Sequence, residues 1–274
     1  MPADSIDGSS ARPGHDDTWT VLAIACVCYV GAKIVHEAVG HGVVCHLVGA
    51  DWVGVSSAWN KCDYVSCGDW AVRAEKAGGT CANLVCGLVA ALCLRLRNLS
   101  AATRYFVWLT AVVHLLMGAG YLLVDPLIGF GDWGRFIEGL QPQLAWQLGL
   151  TAVGAAMYIA TAFAAARWLE PFLGGTPGRR RRALRLTLLP YVCVGGVLLT
   201  TAALLNSEGP EFALTSAMAT VGGTSGLAWL GTIPDGKSTS APPPLGIARS
   251  VSWLVAGAVS VVFVLTVFGP GIHW

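Results

Sequence analysis

Apolar runs of about twenty to thirty residues recur along this chain, at roughly 18–48, 77–94, 102–124, 144–169, 184–205, 212–230 and 247–268. Each is near the length of about twenty residues that a helix needs to cross a bilayer. Backbone polar groups in lipid must be satisfied within the protein, so such runs fold as helices rather than as open strands or loops. Charged residues make up only 12% of the 274 positions, against about 25% in a soluble domain. The expected fold is therefore an all-α integral membrane protein, a polytopic helical bundle of six to seven transmembrane helices. The run 212–230 is the weakest because it is rich in Ser, Thr and Gly, including Gly222-Gly223-Thr224-Ser225-Gly226.

The segments between the runs divide the chain into three parts. Residues 1–17 are polar and carry Pro and Gly, which reads as a flexible tail rather than a cleavable signal. Residues 18–140 hold three spans and two polar loops. Loop 51–72 alternates apolar and polar residues (Trp52, Val53, Val55, then Tyr64, Val65) and predicts a small extramembrane hairpin, whereas 125–142 is turn-rich. Residues 141–274 hold the remaining spans, joined by a Gly/Pro/Arg linker at 171–182 and a Pro-rich linker at 242–244. A net charge of +1 gives no basic face for nucleic acid. The run Arg179-Arg180-Arg181-Arg182 reads as a topology signal, and with Arg95, Arg97 and Arg104 it places the N-terminus in the cytoplasm under the positive-inside rule. Seven cysteines fall in apolar spans and read as small buried apolar residues. Cys62 and Cys67 share the polar loop 51–72 and could pair there in an oxidising compartment.

One of the apolar runs carries chemistry. His36-Glu37-Ala38-Val39-Gly40-His41 lies inside the first of them. Ionisable groups at membrane depth are costly and point to function. Two imidazoles beside a carboxylate are what a hydrolytic zinc centre uses: two neutral nitrogen ligands and one general base. The motif therefore predicts a membrane-embedded zinc hydrolase, with peptide bonds as the leading substrate. The usual zinc-binding pair is four residues apart on a helix. Five residues on a regular helix put the side chains about 140° apart, too far around the axis for one ion. A π-bulge would absorb the extra residue, and Gly40 eases the distortion, so a widened helix is expected at 36–41.

These residues resemble the site-2 protease family of intramembrane zinc metalloproteases. The resemblance rests on His36-Glu37 with Gly40-His41 in an early span, a strand-like loop after it, Gly78-Gly79-Thr80 with Asn83, and the later Gly131-Asp132-Trp133. It covers roughly residues 30–140, and its motifs depart from the family's in two places. The histidines are one residue further apart, a spacing similar to that of the soluble dipeptidyl peptidase III family, and the aspartate follows its glycine instead of preceding it. The resemblance implies Zn2+ held by His36, His41 and Asp132, with Asp69 and Asp125 as rival third ligands. It implies Glu37 as general base toward water and proton donor to the leaving amine, with Asn83 near substrate. His114 is a candidate for support behind the ligands. The implied partner is a membrane-protein substrate within the lipid bilayer, and regulation would need a further partner or a loop movement. Other readings of the same cluster are an ion or metal transporter, an inactive scaffold, or a hydrolase acting on lipid. His46, at the end of the first span, reads as interfacial.

Overall fold

A computed structural model describes residues 16–174, 178–232 and 243–274; residues 1–15 of the tail expected at 1–17, positions 175–177 of the Gly/Pro/Arg linker and position 242 of the Pro-rich linker lie outside the described residues. In chain order the elements are α1 (Thr18–Leu47), β1 (Asp51–Val55), β2 (Asn60–Asp63), α2 (Asp69–Cys93), α3 (Ala101–Ile128), α4 (Gly131–Ile137), α5 (Gln143–Leu173), α6 (Arg179–Leu204), α7 (Pro210–Ala217, continued by a π-turn at Met218–Gly222), α8 (Gly226–Leu230), α9 (Val251–Phe268) and β3 (Ile272–His273). Six of the helices, α1, α2, α3, α5, α6 and α9, are long and apolar enough to cross a membrane. The chain is a multi-pass helical membrane protein. α1 begins at Asp17, whose carboxylate accepts the Thr20 backbone N–H at 2.8 Å; this caps an otherwise unsatisfied helix donor.

The weak run 212–230 does not form a continuous seventh helix. It breaks into α7 and α8 at Gly223, Thr224 and Ser225. It nevertheless carries the chain back along the bundle. The residues after α6 lie beside the hairpin, where Lys61 pairs with Glu208 at 2.6 Å. The start of α9 lies beside the start of α1, where Asp17 N–H donates to Ile247 O at 2.8 Å and Ser250 N–H donates to Thr20 Oγ1 at 3.1 Å. Between these two points the only described helices are α7 and α8.

α3 is the central helix: Trp108, Leu109, Val112, Val113, Leu116 and Met117 are all fully buried along it. Its polar tips find partners, Trp108 Nε1–H donating to Ala165 O at 3.0 Å and Tyr105 OH to Leu186 O at 2.7 Å. α5 and α9 instead expose large apolar side chains such as Ile159, Phe163, Val255 and Val259. Such contiguous apolar surface marks a membrane contact. At the end where α1 begins, Arg182 is buried and donates to Asp16 Oδ1 at 2.7 Å and to Leu245 O at 2.8 Å. This member of the arginine run is a tie between three segments, whatever its part in topology.

At the opposite end the expected hairpin forms, with Val55 opposite Asn60 and Asp51 opposite Asp63. It gains a third strand that the sequence did not suggest: β3, from the last residues, pairs antiparallel with β1, giving the order β2-β1-β3. The disulfide expectation is corrected. Cys62 pairs with Cys45, near the end of α1, and Cys67 is a free thiol. The span ends so close to the hairpin that a cysteine read as a membrane residue reaches β2. A crosslink over 17 residues removes about 3 kcal/mol of loop entropy from the unfolded chain. Reductant, or Cys62→Ser, is expected to lower the melting temperature of the detergent-solubilised protein. An unchanged melting curve would mean that the crosslink does not stabilise the fold.

Candidate metal centre

The helix α1 widens into π geometry over Val35–Gly42, as the five-residue spacing requires. Three other described stretches are also π-helical, so the widening is not by itself a mark of function; its consequence here is geometric. It turns both imidazoles to one face, with His36 Nε2 and His41 Nε2 3.2 Å apart. The opposite face, with Val39 and Val43, is exposed.

Asp132 completes a triangle. Its Oδ2 lies 3.2 Å from His36 Nε2 and 3.2 Å from His41 Nε2. Two ligands at about 2.0 Å from a tetrahedral ion lie about 3.3 Å apart. The three equal edges therefore fit one face of a tetrahedral site, with a fourth position left for a small ligand. Two imidazole nitrogens and one carboxylate oxygen could hold a metal ion. Asp132 belongs to none of the long helices. It sits in the first turn of α4, which four hydrogen bonds fix in place. Trp133 N–H donates to Asp125 Oδ2 at 3.4 Å, Trp133 Nε1–H donates to Thr80 Oγ1 at 2.9 Å, and Arg73 donates to Phe136 O at 2.7 Å and Glu138 O at 2.9 Å. Burial alone would raise the Asp132 carboxyl, but the neighbouring His41, His36 and Lys76 hold it well below the usual carboxylate range.

The rival ligands fall elsewhere. Asp125 is buried at the end of α3 and supports the α4 turn from behind. Asp69, in the other Gly-Asp-Trp, is exposed in the first turn of α2 and outside the triangle. His46 is exposed at the end of α1.

Behind His36 runs a short polar chain. Asn83 contacts His36 Nδ1 at 3.2 Å through one end of its amide and His114 Nδ1 at 2.9 Å through the other; His114 Nε2 is 3.7 Å from Cys86 Sγ. If His36 offers its Nε2 lone pair to an ion, its proton sits on Nδ1, and Asn83 must turn its Oδ1 to accept it. Neither Asn83 nor His114 lines the cavity in front of the site; Asn83 meets His36, and His114 meets Asn83. Tyr121 stacks on the His36 ring at 4.4 Å between centroids.

A cavity of about 570 Å³ opens beside the triangle, lined by Glu37, His41 and Asp132 together with Lys33, Tyr64 and Lys76. A second, largely apolar cavity of about 700 Å³ between α3 and α7 shares Tyr121, Phe130, Glu211 and Thr215 with it. Glu37 is outside the donor triangle. Its Oε1 accepts from Lys33 Nζ at 2.8 Å, in an ion pair whose side chains are 1% and 7% exposed. Lys33 is a site residue that sequence reasoning missed, although a lysine one helical turn before the motif glutamate, in an apolar run, was signal enough.

The close approach of α2 makes the triangle possible. A Cβ on Gly79 would lie 2.5 Å from His41 Nε2 and 2.7 Å from His36 Nε2, and one on Gly40 would lie 2.5 Å from Gly79 Cα. Glycine at these positions lets the second helix press against the two imidazoles. No protein-family profile, curated protein or solved structure matches this chain.

Proposed function

We propose that this protein is an intramembrane zinc metalloprotease that hydrolyses peptide bonds in or near transmembrane segments of membrane-protein substrates. The observation that carries the reading is the donor triangle with 3.2 Å edges sharing a cavity with the carboxylate of Glu37. His36, His41 and Asp132 would hold the ion, and two nitrogens with one oxygen suit zinc. When bound, zinc supplies Lewis acidity and makes water a competent nucleophile near neutral pH. Glu37 takes the proton of the attacking water and passes it to the leaving amine. Lys33 keeps Glu37 as a carboxylate poised at the cavity wall, where an unpaired charge would be too costly. The shared wall between the polar and apolar cavities suits a substrate whose flanks are apolar and whose cleaved bond must reach polar groups. The basic turns before α3 and α6 favour the cytoplasm for that end of the bundle. The Cys45–Cys62 disulfide favours an oxidising compartment for the hairpin end.

The test is metal analysis of the purified protein alongside cleavage of a reporter transmembrane peptide in detergent. Wild type is expected to hold one zinc per chain and to cut, while Asp132→Ala loses both properties. Protein that takes up no divalent ion when supplied with one would overturn the reading. A bound ion with uptake into vesicles and no cleavage would favour a transporter instead, and a bound ion with neither would leave a scaffold.

A further inference from the structure

Glu75 is fully buried, and four polar side chains meet its carboxylate. Its Oε1 lies 3.2 Å from His41 Nδ1 and accepts from Asn60 Nδ2 at 3.0 Å. Its Oε2 accepts from the Tyr64 hydroxyl at 2.8 Å and pairs with Lys76 Nζ at 3.0 Å. The backbone oxygen of the same residue is 2.8 Å from His41 Nδ1. Neutralising a buried carboxylate needs one cation, which Lys76 supplies. The other contacts are aimed: two come from the hairpin, Asn60 from β2 and Tyr64 from just after it, and one goes to an imidazole of the donor triangle. The hairpin is itself fastened to α1 by Cys45–Cys62, on the helix that carries His41.

We propose that Glu75 is the positioning residue of His41 and that the extramembrane hairpin is thereby a working part of the metal centre. The Nδ1 proton of His41 goes to Glu75, to its backbone oxygen at 2.8 Å with the Oε1 carboxylate oxygen beside it at 3.2 Å, which fixes the tautomer that presents Nε2 as a lone pair, while the carboxylate adds charge and fixes the ring plane. Outer carboxylates of this kind set ligand orientation and basicity. Asn60 and Tyr64 fix the carboxylate in turn, so displacement of the hairpin loosens a metal ligand without touching the ion. A substrate or partner that engages the hairpin therefore acts on the metal centre through Glu75. This inference rests on the metal-binding reading above.

The experiment is chelator competition with Zn2+ on the full-length, detergent-solubilised protein, comparing wild type, Glu75→Gln, Tyr64→Phe and the double variant. Glu75→Gln is expected to weaken zinc binding by about 10- to 100-fold. Tyr64→Phe should weaken it less and add nothing in the Glu75→Gln background, because its effect passes through the same carboxylate. Melting curves of the metal-free proteins separate this from a general loss of structure. If wild type binds no zinc, it is the metal reading that fails. If wild type binds and folded Glu75→Gln binds equally well, the positioning role is overturned. Should Glu75→Gln not fold, Tyr64→Phe decides, and unchanged zinc affinity in that variant overturns the proposal.

Discussion

Glu37→Gln is expected to keep its full complement of zinc and to lose about 100- to 10,000-fold in peptide hydrolysis, the range that a positioned general acid–base group contributes. The two halves of this expectation have separate causes. Metal is retained because Glu37 supplies no edge of the donor triangle, which consists of His36, His41 and Asp132. Activity is lost because an amide cannot take a proton from water at neutral pH. The substitution also disturbs the buried pair with Lys33, and breaking such a pair outright costs about 3–5 kcal/mol. Glutamine keeps an oxygen that can accept from the Lys33 ammonium, so the loss of stability should be well below that of Glu37→Ala. Rates are to be compared at equal zinc content on the same transmembrane peptide. Full activity in a zinc-loaded Glu37→Gln protein would remove the protease mechanism, whatever the geometry of the ligands.

How far the sequence exposes this site depends on which physical constraint is local. The π-turn at Val35–Gly42 is legible because it follows from counting: five residues do not fit one face of a regular helix, and two costly imidazoles in an apolar run have reason to meet. The first strand of the hairpin is legible from Trp52, Val53 and Val55, whereas the second is Asn60–Asp63, ahead of the Tyr64-Val65 piece that suggested it. The third strand is not legible, because Ile272 and His273 form a strand only by pairing with β1, more than two hundred residues earlier. Cys45 misleads for a related reason. By composition it belongs to a membrane span, but the span ends beside β2, and spatial proximity decides the pairing. Glu75 is missed because an apolar run read from sequence begins at Ala77, while the helix begins at Asp69 and its second turn points Glu75 toward His41 rather than toward water. The sequence marks the groups that could hold an ion and, in Asn83 and His114, the polar chain behind one of them. It hides Glu75, which tertiary packing brings to His41.

Gly79→Ala is expected to abolish stoichiometric zinc binding in a protein that still folds. The added methyl carbon would start 2.5 Å from His41 Nε2 and 2.7 Å from both Cε1 and Nε2 of His36, at the atoms that would face the ion. Neither imidazole can yield freely. His41 is held at Nδ1 by Glu75 and His36 by Asn83 and the Tyr121 ring. Relief must therefore come from moving a ring or from parting α1 and α2. A shift of even about 0.5 Å exceeds what a functional constellation tolerates, and the 3.2 Å edges of the triangle would not survive it. The cost to folding is of a different order. Overpacking by one methyl group typically costs about 1–3 kcal/mol, against a total stability of about 5–15 kcal/mol. Gly31→Ala provides the control, since a Cβ on Gly31, in α1 ahead of both imidazoles, meets nothing within 4 Å. That variant should bind zinc as wild type does and melt at the same or a slightly higher temperature, because alanine is the better helix former. A Gly79→Ala protein with full zinc content and unaltered peptide cleavage would show that the helix crossing has slack, and that the approach of α2 is not what holds the two imidazoles together.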